Sequence, residues 1–249
     1  MASLAPHRKF VTEFEAYAGR GQRFQPTIER ELDADLRSLA ERLPGADDGL
    51  MAVVEFPGPR GVPDLLVVSR GFEALGQRLS ADVPYIDSPA DCAVVAELSL
   101  NRTRTAASVA AASGMSIGQV ERRLRALALT GATVPQGAGY RRHPSVEPIG
   151  RTYAFEAKVS DWRRGLSQAL TYSSWADASV LVLLRAPRDT DELERRCEAL
   201  NVGLAIRDTW VRRPRIGRPH RSLRLEASER LASEVSRLNS EAFPSGIRL

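Results

Sequence analysis

Apolar residues recur at helical spacing between Thr27 and Leu43. Ile28, Leu32, Leu36, Leu39 and Leu43 fall on one face, so the spacing predicts an amphipathic helix that Pro44-Gly45 ends. The period then shortens. Met51–Phe56 and Leu65–Val68 read as strands, and the turn Pro57-Gly58-Pro59-Arg60-Gly61 between them predicts a hairpin. Residues 71–80 predict a short helix. After Pro148 the strand pattern returns: Arg151–Val159 a strand, Asp161–Trp175 a helix, and the unbroken aliphatic run Val180–Leu184 a buried strand. A helix over Asp191–Leu200, a strand over Val202–Ile206, an irregular Arg- and Pro-rich stretch from Trp210 to Arg224 and a terminal helix over Leu225–Leu238 complete the chain.

Between these halves the texture is Ala-rich and helical. Ser88-Pro89 supplies an N-cap and a first helical position. Thr105–Ala112 forms a second helix, and Ser113-Gly114 breaks it. Ser116-Ile117-Gly118-Gln119 is a capping box opening a third helix, which buries Val120, Leu124 and Leu127 and ends at Gly131. A small hairpin follows, Ala132–Pro135 and Tyr140–His143 around Gln136–Gly139. Three helices and a hairpin predict a winged helix-turn-helix. The expected fold is α/β, a mixed central sheet with flanking helices, interrupted by this guest. The expected domains are residues 1–87, the winged helix 88–147, and residues 148–249.

Composition narrows the setting. The hydrophobic fraction of 43% and charged fraction of 27% are those of a globular domain, and no apolar run reaches a membrane span, so no membrane partner is expected. Cys92 and Cys197 lie far apart with no CxxC spacing, and the N-terminal residues carry no signal-peptide apolar run. A reducing, cytoplasmic setting is expected, without a metal–thiolate site. A net charge of +4 leans weakly toward an anionic partner.

The cations are almost all arginine. Lys9 and Lys158 are the only lysines, and Lys158 stands two residues after Glu156, so on a strand both side chains share a face. Asp64 heads the strand Leu65–Val68. Two carboxylates on neighbouring strands suit Mg²⁺ or Mn²⁺, and a lysine beside them could orient a water or stabilise charge on a phosphate.

At Pro63-Asp64 and Glu156-Ala157-Lys158 the chain resembles the PD-(D/E)XK nuclease superfamily, whose fold is restriction-endonuclease-like. The helix after Lys158 extends the resemblance, with Arg164, Gln168 and Tyr172 four apart on one face. The resemblance implies a four-stranded mixed sheet and a metal-dependent DNA endonuclease. It implies Asp64, Glu156, Lys158, Gln168 and Tyr172 as catalytic residues. It also implies an acid from the first helix, Glu29 or Glu31, beside Asp64 and Glu156 at the metal. Glu55 reads as the solvated side of its strand, with a further metal ligand as the alternative, and Trp162 as a packing residue.

DNA is the expected partner. Gln119, Arg122 and Arg123 on the third helix, Arg141 and Arg142 on the wing, and Arg164 on the later helix are the expected contacts. Residues 88–147 hold seven arginines against four acids, a modest excess that leaves protein contact as an alternative. His143 has no partner to make a metal site. The arginines at 212, 213, 215, 218, 221 and 224 read equally as a further DNA surface or a solvated connector. Cutting both strands would favour a homodimer. Two other readings stand beside the endonuclease. One is a non-catalytic DNA-binding or regulatory protein on a nuclease-derived scaffold, and the other is a nuclease for RNA or for branched or damaged DNA.

Overall fold

The computed structural model describes residues 9–15 and 30–242, and these hold nine strands and eight α-helices. In chain order they are β1 (Phe10–Glu15), α1 (Asp33–Ala40), β2 (Leu50–Val54), β3 (Leu65–Ser69), α2 (Phe72–Ser80) and α3 (Pro89–Ala96). Then come α4 (Ala106–Ser113), α5 (Ile117–Leu129), β4 (Thr133–Gln136), β5 (Gly139–Arg142), β6 (Arg151–Lys158) and α6 (Trp162–Tyr172). Last are β7 (Ala178–Leu183), α7 (Thr190–Ala199), β8 (Gly203–Ile206), β9 (Thr209–Arg212) and α8 (Arg221–Ala242). They form two units. One runs to Gly71 and resumes over Gly150–Pro219; the other takes Phe72–Ile149 and continues from His220.

The first unit is built on a seven-stranded mixed sheet of order β1-β2-β3-β6-β7-β8-β9. The pairs β1–β2, β6–β7 and β7–β8 are parallel, and the others antiparallel. Each strand sends alternate side chains to opposite faces. Leu50, Ala52, Leu65, Val67, Phe155, Val180 and Val182 pack with Leu32, Leu36 and Leu39 from the α1 region. Leu181, Leu183 and Leu204 face the other way, against Trp162, Leu166 and Ala169 of α6 and Leu193 and Cys197 of α7. Glu156 pairs in register with Leu181, so it belongs to the α6 face.

Two strands were not legible. Three of the six β1 residues are polar, and its partner β2 is distant in sequence. β9 falls where the Arg-rich stretch predicts irregular chain, and Thr209–Arg212 instead extends the sheet beside β8. The first helix also differs. A 3₁₀ turn, Arg30–Leu32, leads into α1, and Thr27, Ile28 and Glu29 lie outside the described residues.

In the second unit α3, α4, α5 and the β4–β5 hairpin share a core of Val94, Val95, Val109, Val120, Leu124 and Leu127. A bridge between Arg104 and Tyr140 adds a third edge to the hairpin. The capping box is formed as expected, with Ser116 and Gln119 bonded in both directions. The seam differs from the sequence reading, because both α2 and α8 pack into this unit. Leu225 of α8 joins its apolar core. Arg78 of α2 forms a fully buried ion pair with Glu229 of α8, at 2.8 Å, and donates to the carbonyls of Val83 and Pro84. Glu229 also accepts the Ile86 N–H. Burying that pair satisfies groups from three separate segments, which explains why α8 belongs here.

Candidate active site

Asp64 stands one position beyond the last paired residue of β3, opposite Glu156 of β6 if the register is continued. Its Oδ2 accepts the Ala157 N–H at 2.7 Å, which ties the carboxylate to the strand carrying the other two groups. Glu55, just past β2, holds the main chain of the same residue, its N–H donating to the Asp64 carbonyl at 3.2 Å. Glu55 is half-buried and adopts a left-handed backbone with φ of 52°, unusual for a residue with a side chain. It thus closes the hairpin rather than lying on the solvated side of a strand.

Glu156 is the deepest member, 2% exposed. Lys158 Nζ donates to its Oε1 and, at 3.1 Å, to the Ala157 carbonyl. The Tyr172 hydroxyl lies 2.6 Å from its Oε2. Burial, and then the negative charge of Asp64, push the Glu156 carboxyl up to about 7, while Lys158 and the Tyr172 hydroxyl pull the other way. Burial and the neighbouring Glu156 charge raise the Tyr172 phenol.

Helix α6 brings Tyr172 down onto the sheet, and Gly165 allows it. A Cβ at Gly165 would sit 2.6 Å from Leu181 Cδ1 and 2.8 Å from Lys158 Cγ. The lysine stem therefore runs through space that only glycine leaves open. Glycine inside a helix is unfavourable by about 1 kcal/mol relative to alanine, and that cost was the overlooked signal in the sequence.

The β2–β3 loop is a second feature that the sequence shows only as a turn. Its backbone is pinned by two aromatic residues. Trp175 Nε1 donates to the Arg60 carbonyl at 2.9 Å, and the Tyr172 hydroxyl lies 2.9 Å from the Val62 carbonyl. The Tyr172 and Trp175 rings meet edge-on at 6.0 Å.

The remaining expected residues divide. Gln168 lies on the Tyr172 face of α6, half-buried, and its Oε1 is buried without a hydrogen-bond partner. Arg164 is exposed near the start of that helix. Glu31 is exposed in the 3₁₀ turn. Among the described residues no three acidic, histidine or cysteine side chains converge on a metal position, so Glu31 does not complete a set with Asp64 and Glu156. Its helix begins later than the spacing suggested. Trp162 packs as expected, 8% exposed, with Arg163 and Arg196 over its ring. Lys9, the other lysine, pairs with the exposed Asp47.

In the second unit three of the five expected DNA contacts are bonded to neighbouring side chains or backbone. Gln119 accepts from the Ser116 N–H and hydroxyl. Arg123 pairs with Asp91 at 2.6 Å and Arg142 with Glu147 at 3.3 Å. Arg141 is half-buried, with its Nε buried and unpartnered. Arg122 alone of this group is exposed without a bonded partner among the described residues. The arginine-rich stretch is similarly committed in part: Arg212 pairs with Glu198, Arg213 donates to the Arg42 carbonyl, and Arg224 is buried on Ser228 and the Ile149 carbonyl. Some acceptors lie far away in sequence, Arg42 for Arg213 and Ile149 for Arg224, which is why composition alone overstated the free positive charge.

No family model matches the chain, and no curated protein or solved structure matches it either. Among the described residues no helix is long and apolar enough to cross a membrane.

Proposed function

We propose that the first unit is a metal-dependent phosphodiesterase of the restriction-endonuclease-like kind, acting on DNA. One observation carries the reading. Asp64 is hydrogen-bonded to the peptide between Glu156 and Lys158, so two strand-borne carboxylates and a lysine share one spot. Within the sheet, β2-β3-β6-β7 is a four-stranded mixed run of the kind the resemblance implies, with β1, β8 and β9 added at its flanks.

The donor set fits a hard divalent cation. Asp64 and Glu156 offer carboxylate oxygens, and Asp64 opposes the ionisation of Glu156, a repulsion that a cation held by both would relieve. Bound there, Mg²⁺ or Mn²⁺ would supply positive charge to the phosphate and acidify a water. The chain's own residues do the rest. The Ala157 N–H orients Asp64, while Tyr172 and Lys158 orient Glu156. An ammonium has three hydrogens, and Lys158 uses two on Glu156 and the Ala157 carbonyl, leaving one to direct at a phosphate oxygen.

The test is cleavage of linear, nicked, forked and single-stranded DNA, and of RNA, with and without Mg²⁺ or Mn²⁺. Asp64→Asn and Lys158→Ala should each abolish cutting while the circular dichroism spectrum is retained. Cutting that survives both substitutions would remove the site from the mechanism.

A second reading concerns the other unit. Its core elements suit a winged helix, but Gln119, Arg123 and Arg142 are bonded within the unit, which favours protein contact over base reading. An Arg122→Glu variant should then leave DNA affinity unchanged; a large loss would restore the DNA-reading role.

A further inference from the structure

Arg60 differs from its neighbours in what holds it. Its carbonyl accepts from Trp175 Nε1, and Trp175 is fully buried. Gly58, two residues before it, and Gly61, directly after it, leave no room for a side chain. A Cβ at Gly58 would meet Trp175 Cζ2 at 2.5 Å, and one at Gly61, where φ is +76°, would meet Tyr172 Cε1 at 2.8 Å. The Val62 carbonyl, two residues on, shares the Tyr172 hydroxyl with Glu156. The loop tip therefore follows one backbone course, a single hydroxyl away from the carboxylate centre.

The Arg60 guanidinium is exposed, and no acceptor is bonded to it among the described residues. Several arginines of this unit are committed, Arg37 to Glu13, Arg70 to Asp48, Arg196 to Glu192 and Arg212 to Glu198. Arg60, like the exposed Arg164 and Arg195, keeps its guanidinium free among the described residues, and Arg60 alone of these sits on the loop that Trp175 and Tyr172 hold. The centre itself holds two carboxylates, and its ammonium is bonded to one of them. A polyanion approaching this spot needs a further cation at the rim.

We propose that Arg60 grips a backbone phosphate of the nucleic-acid substrate, next to the phosphate that is cut. The proposal rests on reading this unit as a phosphodiesterase. A guanidinium presents a planar fork of donors that matches phosphate oxygens, which a lysine ammonium does not. Anchoring the loop beforehand removes ordering entropy that binding would otherwise lose. Arg60 is thus a substrate-positioning residue, outside the bond-breaking chemistry.

Steady-state cleavage of a short DNA by wild type, Arg60→Ala, Arg60→Lys and Arg195→Ala tests it. Arg195 is an exposed arginine of α7 and controls for the loss of one charge. Arg60→Ala should raise KM by about tenfold with kcat within about twofold, the loss expected for one phosphate contact. The slope of log(kcat/KM) against log salt should become shallower by roughly 0.9. Arg60→Lys should recover part of the KM, and Arg195→Ala should match wild type. Melting temperatures should stay level, because the loop is anchored through a carbonyl that these substitutions leave in place. Wild-type KM and salt slope in Arg60→Ala, or the same change in Arg195→Ala, would overturn the proposal while leaving the phosphodiesterase reading intact. A wild-type protein that cuts no nucleic acid would overturn both.

Discussion

Removing the Tyr172 hydroxyl should destabilise the first unit in a pH-dependent way. Tyr172→Phe keeps the ring, which is almost wholly buried, and deletes the oxygen that lies 2.6 Å from Glu156 and 2.9 Å from the Val62 carbonyl. A hydrogen bond to a charged group contributes about 1.5–3 kcal/mol, so a loss of roughly 2–3 kcal/mol is expected where Glu156 is ionised. The hydroxyl also favours the ionised form of Glu156. Its removal raises that carboxyl further, and each unit of rise makes the deficit at high pH about 1.4 kcal/mol larger than the deficit at low pH, a difference already contained in the loss with Glu156 ionised. The gap between wild type and variant should therefore widen as pH rises through about 7. Urea unfolding followed by tryptophan fluorescence reads it directly, because Trp162, Trp175 and Trp210 all lie in the first unit. The m-value should be unchanged. A deficit under about 0.5 kcal/mol at pH 8.5, or an equal deficit at pH 5.5 and pH 8.5, would refute the reasoning.

Three further outcomes follow from the same geometry. The Glu156 carboxyl, near 7 in the folded protein, lies above its ordinary 4.5, so the stability it lends is whole below about pH 4.5 and is lost as pH rises through 7. That loss is roughly 3 kcal/mol; Glu156→Gln should flatten this part of the stability profile, and parallel profiles in urea would contradict it. Gly165→Ala should lower both the melting temperature and cutting, since an overpacked core loses about 1–3 kcal/mol and the contact falls on the Lys158 stem; wild-type cleavage by a folded variant would show that the stem has room. Glu229→Ala strands the buried Arg78 guanidinium and should destabilise the second unit by about 3–5 kcal/mol. Amide exchange in α3 and α8 measures this, and a loss below about 1 kcal/mol would show that the pair is relaxed.

The sequence showed most clearly what is local. Val180–Leu184 reads as a buried strand because every position is aliphatic, and β7 is buried throughout. Glu156 and Lys158 share a face because strand periodicity is two, and their side chains meet. The capping box at Ser116 is decided within four residues. What stayed hidden depends on distant partners. The strand at Phe10–Glu15 needs β2 beside it. The affiliation of α8 rests on the Arg78–Glu229 pair, and a sequence offers only two charges that would ordinarily be solvated. The pairing of Arg123 likewise needs Asp91, thirty-two positions away, in place. Gly58 and Gly61 read as turn residues, and only the Trp175 and Tyr172 rings show why no other residue fits.

The Tyr172 hydroxyl has one hydrogen and two acceptors. With Glu156 ionised, that hydrogen belongs on the carboxylate, and the Val62 carbonyl goes without it. With Glu156 protonated, the carboxyl hydrogen can point to the phenol oxygen, and the phenol hydrogen returns to Val62. The charge on Glu156 and the hydrogen bond that holds the Val62 carbonyl are then a single variable. Whatever settles the ionisation of Glu156, whether solution pH or a bound cation, also sets how firmly the loop bearing Asp64 and Arg60 is latched, with no hinge required.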